Sequence, residues 1–407
     1  MSWELKKLSD CCTFIADGDH QAPPKAASGI PFVTISNINM ANQFDFTNTM
    51  FVPHSYYDSL DSKRKAQKGD ILYSVVGSFG IPVYMRETIP FVFQRHIAIL
   101  RPNSTILPQF LYYTMLSRDF HMMADAAAIG AAQRTISLTA LRKIKIAVPQ
   151  MDIQKRIVNV LSAYDSLIEN NQKQIKLLEE AAQRLYKEWF VDLRFPDHET
   201  TPVVDGVPEG WAYKPLSEVF DYIRGKSYSS KELSDTIGVL MVNLKSIRAF
   251  GGYNRNAEKR FIGQYKENQV LSSGDVIMGV TDMTQERRLV GHAALIPDMG
   301  EKMIFSMDLI KLIPKLTNSL FLYSALYYGG LSKQISPLAN GVNVLHLKPE
   351  AMMKIKLLIP CERVLKQYCQ LFSSIVARIE FLQKQCDVAA EARDRLLPKL
   401  MSGEIEV

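Results

Sequence analysis

The sequence predicts an α+β protein made of two similar halves, each a β-rich domain followed by a long helix, arranged as a pseudo-two-fold internal repeat. Three observations predict this fold class. The chain of 407 residues repeats itself with a period near 210 residues. Each half begins with short strand-like runs, and each half ends with a heptad pattern of apolar residues. A chain of this length suits about two to four domains of ordinary size.

The internal repeat consists of short segments that recur in the same order. They pair SWELKKLSD (2–10) with GWAYKPLSE (210–218), GIPFVTISNI (29–38) with GVLMVNLKSI (238–247), KGDILYS (68–74) with SGDVIMG (273–279), VFQRHIAILRP (92–102) with IFSMDLIKLIP (304–314), FLYYTML (110–116) with FLYSALY (321–327), KIKIAVP (143–149) with KIKLLIP (354–360), and Arg184-Leu185 with Arg395-Leu396. The offset is 211 from residue 110 onwards and drifts only in the middle of each half, where loops absorb insertions. The shared order indicates a duplication.

Each half begins with β-branched and aromatic runs separated by Gly, Asn and Asp, which predict strands. The runs are PFVTIS, DILYSVV and HIAIL in the first half and VLMVNL, DVIMGV and DLIKLI in the second. Residues 110–120 and 321–329 predict short helices. We therefore assign residues 1–148 and 210–359 to the two β-rich domains and residues 193–209 to a linker.

A long helix is predicted in residues 149–192 and another in residues 360–402, because apolar positions there alternate in spacings of four and three. The first seam comprises Ile157, Leu161, Tyr164, Ile168, Asn171, Ile175, Leu178, Ala182, Leu185 and Trp189, and the second comprises Tyr368, Phe372, Ile375, Ile379, Leu382, Cys386, Ala389, Arg393, Leu396 and Leu400. In the second seam Arg393 interrupts the pattern, and Pro398 predicts the end of the helix.

A stripe of roughly 35 residues is about 50 Å long, more than a domain of about 150 residues buries alone. We therefore expect the two helices to lie side by side and antiparallel as a coiled coil, with the β-rich domains at opposite ends of a rod.

The composition is that of a well-folded protein, with 47% hydrophobic and 22% charged residues. A formal net charge of +6 is compatible with a polyanionic partner but indicates one only weakly. The five cysteines form no CxxC pair and no zinc spacing, which favours reduced thiols in the cytoplasm. No window of about 18 residues is continuously apolar, and the first residues do not resemble a signal peptide, so neither a membrane span nor secretion is expected.

Catalytic motifs are missing from the sequence. Gly225-Lys226-Ser227 resembles the end of a phosphate-binding loop, but Phe220 stands where that motif needs its first glycine. No GxGxxG follows a strand, and no Asn/Asp-Pro-Pro-aromatic motif of an aminomethyltransferase occurs. The seven histidines are scattered and favour structural or surface roles. We therefore predict no catalytic residue and no metal site on this chain.

Taken together, the segments resemble one family, the specificity subunits of type I restriction–modification systems. Each half is opened by a tryptophan (Trp3 and Trp211), carries GD-ILYS or GD-VIMG, and closes with KIK-hydrophobic-Pro before its long helix; the tail LLPKLMSGEIEV is also similar to that family's ending. The resemblance covers essentially the whole chain. The sequence departs from it in CERVLKQ (361–367), and VVGSFG (75–80) is replaced by VTDMTQ (280–285) in the second half.

The resemblance implies that the β-rich domains are target-recognition domains, each reading one half of a split, asymmetric site in double-stranded DNA. It implies that the paired helices act as a ruler and as the docking surface for two methyltransferase subunits, joined by two restriction subunits. S-adenosylmethionine, ATP and magnesium would bind to those partners, and no cofactor would bind to this chain.

Bases are read by side chains that reach their edges, chiefly Arg, Lys, Asn and Gln, whereas phosphate contacts only position a protein. The candidate DNA-contacting residues are Ser36, Asn37, Asn39, Gly77, Ser78, Gln94, Arg95, Gln133 and Arg134 in the first domain, and Lys245, Arg248, Thr281, Thr284, Gln285, Arg287, Arg288 and Asn343 in the second. Each could instead be an ordinary solvated turn residue. We expect half-sites about one helical turn of DNA, roughly 34 Å, apart.

Two other functions compete with this interpretation. An enzyme acting on DNA by itself would need the methyltransferase or nuclease motif that the sequence lacks. A coiled-coil scaffold without sequence readout would leave the two β-rich domains without a purpose.

Overall fold

The computed structural model describes residues 3–39, 42–47, 49–77, 79–130, 134–255 and 257–407. Two compact units divide the chain. The first unit comprises Met1–Asn170 together with Gln385–Val407, and the second comprises Asn171–Lys384. The chain thus leaves the first unit within one long helix and returns to it within another.

The first unit contains three sheets. Its strands are β1 (Glu4–Lys7), β2 (Cys12–Asp17), β3 (Ile30–Val33), β4 (Met50–Val52), β5 (Ile71–Ser74), β6 (Pro82–Tyr84), β7 (Val92–Phe93), β8 (Ile97–Pro102) and β9 (Lys145–Val148). Its helices are α1 (His54–Ser59), α2 (Pro108–Leu116), α3 (Arg118–Ala127), α4 (Leu138–Lys143) and the beginning of α5 (Met151–Tyr186). The strand orders are β2-β8-β5-β6, β4-β3-β7 and β1-β9. The predicted strand runs are therefore confirmed in this half.

The second unit repeats this arrangement with additional short strands. Its strands are β10 (Val203–Val204), β11 (Val207–Pro208), β12 (Ala212–Pro215), β13 (Phe220–Arg224), β14 (Leu233–Ser234), β15 (Val239–Val242), β16 (Lys259–Phe261), β17 (Val270–Leu271), β18 (Val276–Gly279), β19 (Thr281–Asp282), β20 (Ala293–Leu295), β21 (Met303–Phe305), β22 (Leu309–Pro314), β23 (Leu345–His346) and β24 (Lys356–Ile359). Its helices are α6 (Leu216–Val219), α7 (Ser319–Tyr327), α8 (Leu331–Ile335), α9 (Pro349–Met352) and most of α10 (Glu362–Ser402).

The four-stranded sheets of the two units have the same strand order. The order β2-β8-β5-β6 of the first unit corresponds to β13-β22-β18-β20 of the second. Each unit also has a parallel strand pair in a second sheet. It is β3 with β7 in the first unit and β15 with β21 in the second. Ile71 lies opposite Leu100 in the first unit, and Val276 lies opposite Leu312 in the second. The repeated order and register confirm the internal repeat that the sequence predicts.

The Gly-Asp motif before the central strand performs the same local task in both units. Asp70 accepts a hydrogen bond from the backbone of Gln67 at 2.7 Å, and Asp275 accepts one from Ser272 at 2.9 Å, so each carboxylate closes the turn that starts the strand. Asp70 also binds Arg101 on β8 through two hydrogen bonds of 2.8 and 2.7 Å. Its counterpart contacts the strand-borne Lys311 at 3.5 Å.

A glycine is required where the first long strand of each unit passes a neighbouring backbone. A Cβ atom on Gly18 would lie 2.3 Å from the carbonyl oxygen of Phe93, and one on Gly225 would lie 2.0 Å from that of Ser306. No side chain fits in either place, because real Cβ atoms do not approach a carbonyl oxygen so closely. These glycines therefore let the end of β2 or β13 approach the backbone of a neighbouring segment.

The two long helices pair antiparallel within each unit. In the first unit Asp165 of α5 contacts Arg393 of α10, and Ile168 faces Cys386; in the second, Gln174 contacts Arg378. In these contacts the residue number rises along α5 as it falls along α10, so the two helices run antiparallel. Every predicted seam residue is buried or partly buried, so the coiled-coil prediction is confirmed within each unit.

Two local predictions about helices were wrong. Pro398 does not end the second long helix, which continues to Ser402. Leu397 and Leu400, on either side of that proline, are buried in the core of the first unit, and their burial offsets the cost of about 3 kcal/mol that an interior proline carries.

The predicted helix 110–120 is instead two helices. Ser117 ends α2 and caps α3 by accepting a hydrogen bond from the backbone of Phe120.

The tryptophan that opens each half packs against the chain segment that follows a long helix. Trp3 lies beside Phe110, with ring centroids 6.2 Å apart, and next to Gly403 after α10. Trp211 packs against Phe195, which follows α5, with centroids 4.8 Å apart. Each β-rich domain is thus anchored to the end of the helix that arrives from the other half of the chain. Among the described residues, no helix combines the length and apolar character that a membrane crossing requires.

We predict that Asp70→Asn destabilises the protein more than Asp275→Asn. The Asp70 side chain is 2% exposed, and its loss of charge would leave Arg101 without a counter-ion and with only the carbonyl of Lys65 as an acceptor, which costs about 3 kcal/mol. The Asp275 side chain is 27% exposed, and its partner Lys311 also donates to the carbonyl of Val270, so the cost should be about 1 kcal/mol or less. Urea unfolding of both variants would measure the difference, and equal losses would contradict the prediction.

Candidate nucleic-acid interface

In the first unit, backbone hydrogen bonds bring the predicted DNA-contacting loops together. The backbone N–H of Gly77 donates to the carbonyl of Arg134 at 3.0 Å, so the loop after β5 lies against the loop before α4. The turn at residues 94–96 touches the same place, since Val75 donates to the carbonyl of His96 at 2.9 Å. The same turn joins the end of β3, because Gln94 donates to the carbonyl of Val33 at 3.1 Å. Ser78 and Gln133 lie outside the described residues.

The polar side chains after β3 largely support their own turn. Asn37 accepts a hydrogen bond from the backbone of Thr34 at 2.9 Å, and Asn39 accepts one from Gln43 at 3.0 Å. Ser36 is exposed and bonds with the hydroxyl of Thr34 at 2.8 Å. The side-chain amide of Asn37 also donates to the carbonyl of Asp45 at 3.4 Å, so the turn itself uses much of the hydrogen-bonding capacity of these side chains.

The two predicted arginines of the first unit differ in their surroundings. Arg95 is exposed, and the described part of the chain gives its guanidinium no ion pair. Arg134 is held by Asp125 at 2.8 Å and is about 40% exposed. Arg95 is therefore the cation that a phosphate or a base edge could engage at the smallest cost.

In the second unit, three loops meet at one surface. Gln285 donates to the carbonyl of Val342 at 2.7 Å, which joins the loop after β19 to the loop before β23. Phe250 donates through its backbone to the carbonyl of Arg288 at 2.7 Å, which adds the loop after β15. The candidate residues Lys245, Arg248, Thr284, Gln285, Arg287, Arg288 and Asn343 belong to these three loops. We call this surface the second-unit loop cluster.

Thr281 differs from the other candidates because it is buried and its hydroxyl donates to Asp308 at 3.1 Å. This geometry gives Thr281 a supporting role beneath the loop cluster. Thr284 is exposed, but its hydroxyl donates to Asp282 at 2.8 Å.

Asp282 holds the loop after β19 in place, and the sequence argument did not single it out. One carboxylate oxygen accepts from the backbone and hydroxyl of Thr284, and the other accepts from the backbone of Leu289 at 2.6 Å and of Val290 at 3.2 Å. Burial by itself would raise the pKa of Asp282, but these hydrogen bonds outweigh burial and lower it. The carboxylate therefore fixes the two ends of the loop that carries Gln285, Arg287 and Arg288.

His292 and Phe250 are further residues that the sequence argument missed. His292 is buried, and burial lowers its pKa, although hydrogen bonds to the backbone of Phe250 and Arg287 oppose that shift. Phe250 is exposed and has a φ of 67°, a strained value for a residue other than glycine. The signal that could have drawn attention to this turn is the following Gly-Gly pair, since consecutive glycines mark a chain path with positive φ.

The cations of the second-unit loop cluster carry partial counter-charges. Arg288 pairs with Glu286, and Arg248 approaches Glu179 on α5 at 4.0 Å. Lys245 is exposed and has no ion pair within the described part of the chain. Arg287 has a φ of 53°, so its backbone, like that of Phe250, is strained. The result is an exposed surface rich in donors, suited to the acceptors of phosphates and guanine.

A search of the described residues finds no group of His, Cys, Asp or Glu side chains able to hold a metal ion. What the loops provide is hydrogen-bond donors on rigid supports, and such an arrangement can bind and discriminate.

Asp282→Asn is expected to weaken the loop without unfolding the unit. The amide would present donors toward the N–H groups of Leu289 and Val290, so we expect the protection of those two amides from hydrogen exchange to fall about ten-fold or more. Asp235, an exposed carboxylate of the same unit, provides the control substitution to Asn.

The same amides should respond to pH in the wild type. Because the folded-state pKa of Asp282 is lowered, its stabilisation is complete above the ordinary carboxyl pKa of about 3.9 and is lost as the pH falls below that value. Amide exchange corrected for its intrinsic pH dependence would report this. Protection that is identical in Asp282→Asn and wild type would refute the assignment.

Comparison with known proteins places these features in a family. The chain matches the family described as "Type I restriction modification DNA specificity domain" over residues 1–180 and again over residues 208–386. It is 24% identical over 364 residues to the type I restriction enzyme MjaIX specificity subunit of Methanocaldococcus jannaschii, which covers 85% of this chain and 80% of that protein. It is 25% identical over 419 residues to the putative type I restriction enzyme MjaX specificity subunit of the same organism, covering 100% and 94%.

The crystal structure of the type I restriction–modification system S subunit from M. genitalium has a similar fold, with a TM-score of 0.62 and 16% identity over 98% of this chain and 96% of that chain. The two matched segments together span most of the sequence and follow its internal repeat. The chain therefore belongs to the type I restriction–modification specificity family and is a non-catalytic, DNA-recognising specificity subunit.

Proposed function

We propose that this chain reads a bipartite, asymmetric target in double-stranded DNA and directs two methyltransferase and two restriction subunits to it. The observation that supports this most is the repetition of one architecture with different loops. Both units have the same sheet order, and each gathers polar and cationic loops beside its central sheet. One fold presenting two different sets of donors suits a site whose halves differ in sequence.

The loops at equivalent places favour different half-sites. Gly77 is exposed at the turn after the first unit's central strand, whereas the second unit has the Asp282-held loop with Arg287 and Arg288 in that place. Arg134 of the first unit corresponds to the buried Leu345 of the second in the 211 register. Donors that differ in number and kind should select different bases.

The long helices suit a spacing role. An unbroken helix of 36 residues (α5) is about 54 Å long, and its seam packs against the other long helix within each unit. A rigid element of that kind can hold two recognition domains at a set separation, and half-sites about one DNA turn apart remain our expectation.

Catalysis in this proposal belongs to the partners. The methyltransferase subunits would bind S-adenosylmethionine, and the restriction subunits would use ATP and magnesium. This chain would recognise the DNA target and provide the docking surface for the partners in the cytoplasm. It would bind no cofactor itself. A scaffold without sequence readout is the competing function, and DNA binding that is equal for all sequences would favour it.

Arg288→Ala is expected to weaken specific DNA binding about ten-fold or more, because adjacent arginines on an exposed loop suit phosphate and guanine contacts. The target would be taken from the methylated motif in genomic DNA of a host carrying this chain. Duplexes with one scrambled half-site at a time would show which half depends on Arg288.

A matched control for this variant is Arg395→Ala. Arg395 pairs with Glu391 on α10 much as Arg288 pairs with Glu286, but it lies outside the loop cluster and is 78% exposed. Equal effects of the two substitutions, or none from Arg288→Ala at several salt concentrations, would remove the second-unit loop cluster from the DNA interface.

Inserting one heptad into each long helix, after residues 170 and 384, is expected to lengthen the preferred spacer. Seven helical residues add about 10 Å, or roughly three base pairs, so the natural target should lose about ten-fold in affinity relative to a duplex with a longer spacer. Binding to a set of duplexes with stepwise spacers would measure the shift. An unchanged spacer preference would rule out the ruler role.

A further inference from the structure

One carboxylate of the first unit joins three structural elements. Asp165 on α5 accepts a hydrogen bond from the hydroxyl of Tyr113 on α2 at 2.6 Å and one from the guanidinium of Arg393 on α10 at 2.8 Å. The Asp165 side chain is 12% exposed and that of Arg393 is 22% exposed. Both ions are largely removed from water, so Asp165 depends on Arg393 for its compensation, whereas Arg393 also binds Asp394 at 2.8 Å. The β-rich domain and both long helices therefore share a single polar junction.

Apolar packing alone does not fill this junction. A cleft of about 310 Å³ lies between the β-rich domain and α5, lined among others by Tyr84, Tyr112, Ser162 and Asp165. Arg86, from the turn after β6, reaches Glu169 on α5 at the margin of the same cleft. Directional polar contacts thus bridge a place where van der Waals contact is incomplete.

The second unit has no charged side chain at the three equivalent positions. The residues equivalent to Tyr113, Asp165 and Arg393 in the 211 register are Ser324, Val376 and Ala182. Ala182 is fully buried in the core of that unit, and Val376 packs against the same core. The equivalent cleft, lined among others by Val376 and by the ion pair of Arg248 with Glu179, is about 80 Å³. The second unit therefore pairs its long helices without an ion pair at these three positions, and its β-rich domain contacts α5 through Arg248 and Glu179 at 4.0 Å instead. The ion pair of Asp165 with Arg393 is thus not needed for helix pairing as such.

We propose that Asp165 is a positioning residue, which fixes the angle of the first recognition domain on the helix pair and thereby the placement of one half of the DNA reader. This inference rests on the proposed bipartite readout. Hydrogen bonds have narrow distance and angle preferences, whereas apolar contacts tolerate sliding. Over the open cleft of the first unit, the directional contacts of Asp165 therefore limit the angle at which the β-rich domain can sit on the helices.

The test places the second unit's residues at positions 165 and 393 and a phenylalanine at position 113. The variant Tyr113→Phe/Asp165→Val/Arg393→Ala removes all three polar partners together, so that no unpaired ion remains buried. The full chain, assembled with the methyltransferase subunits of its host, would be assayed for binding to duplexes whose half-site spacing is one base pair shorter, natural, or one base pair longer. Glu391→Ala, which removes an exposed ion pair on α10, is the control.

We expect the triple variant to fold and to prefer the natural target over a scrambled one, but to lose about ten-fold of its discrimination against altered spacings. The control should retain the wild-type discrimination. Asp165→Asn, which keeps the shape and a hydrogen-bond acceptor, should retain part of it and provides a reading if the triple variant fails to fold.

Spacing discrimination that is unchanged in the folded triple variant, or in Asp165→Asn if only that variant folds, would overturn the positioning role and leave the proposed function intact. Absence of any sequence preference in the wild type would instead remove the proposed function and this inference with it.

Discussion

The structure depends on the apolar seam between the two long helices. Residues 151–170 and 385–402 belong to the same unit although more than two hundred residues separate them in the chain. Leu161 is 0% exposed and Leu400 is 1% exposed, and both lie in that unit's core. The first recognition domain therefore acquires its full core only when the end of the chain has returned to it. Because the contacting segments are far apart in the sequence, the entropy of loop closure opposes their association. The apolar surface buried in the seam compensates for that entropy cost.

The duplication separates what must stay constant from what is free to vary. Gly18 and Gly225 stand where a strand passes a carbonyl oxygen with no room for a side chain, and Asp70 and Asp275 close the same turn. Those positions are determined by backbone geometry. The loops beyond the strands carry no such requirement, since they need only a support such as Asp282 at their base. A repeated scaffold with unrelated loops can evolve two specificities independently, because a loop change leaves the sheet contacts untouched.

Local patterns predicted most of the fold, and nonlocal contacts account for the rest. The seams and central strands were recognisable because heptad spacing and β-branched runs are visible within a short window. Pro398 was misinterpreted because the burial of Leu397 and Leu400 depends on the distant first half of the chain. The candidate loop residues were predicted because they are polar residues between strands. No sequence periodicity could show that Thr281 is buried against Asp308 or that the backbone of Phe250 donates to Arg288. Arg393 looked like a defect in the seam because its partner Asp165 lies 228 positions earlier.

The recognition loops partly neutralise their own cations, and this affects how specificity can arise. Arg134 is held by Asp125, and Arg288 by Glu286, so in the proposed DNA complex a phosphate would compete with a carboxylate for either arginine. Exposed pairs of this kind contribute about 0.2–1 kcal/mol each, a small cost when a matching site supplies several contacts together. In the proposed complex, unmatched DNA would meet the same cost with fewer compensating contacts, so nonspecific affinity would fall more than specific affinity. A net charge of only +6 on 407 residues agrees with a reader that limits nonspecific attraction.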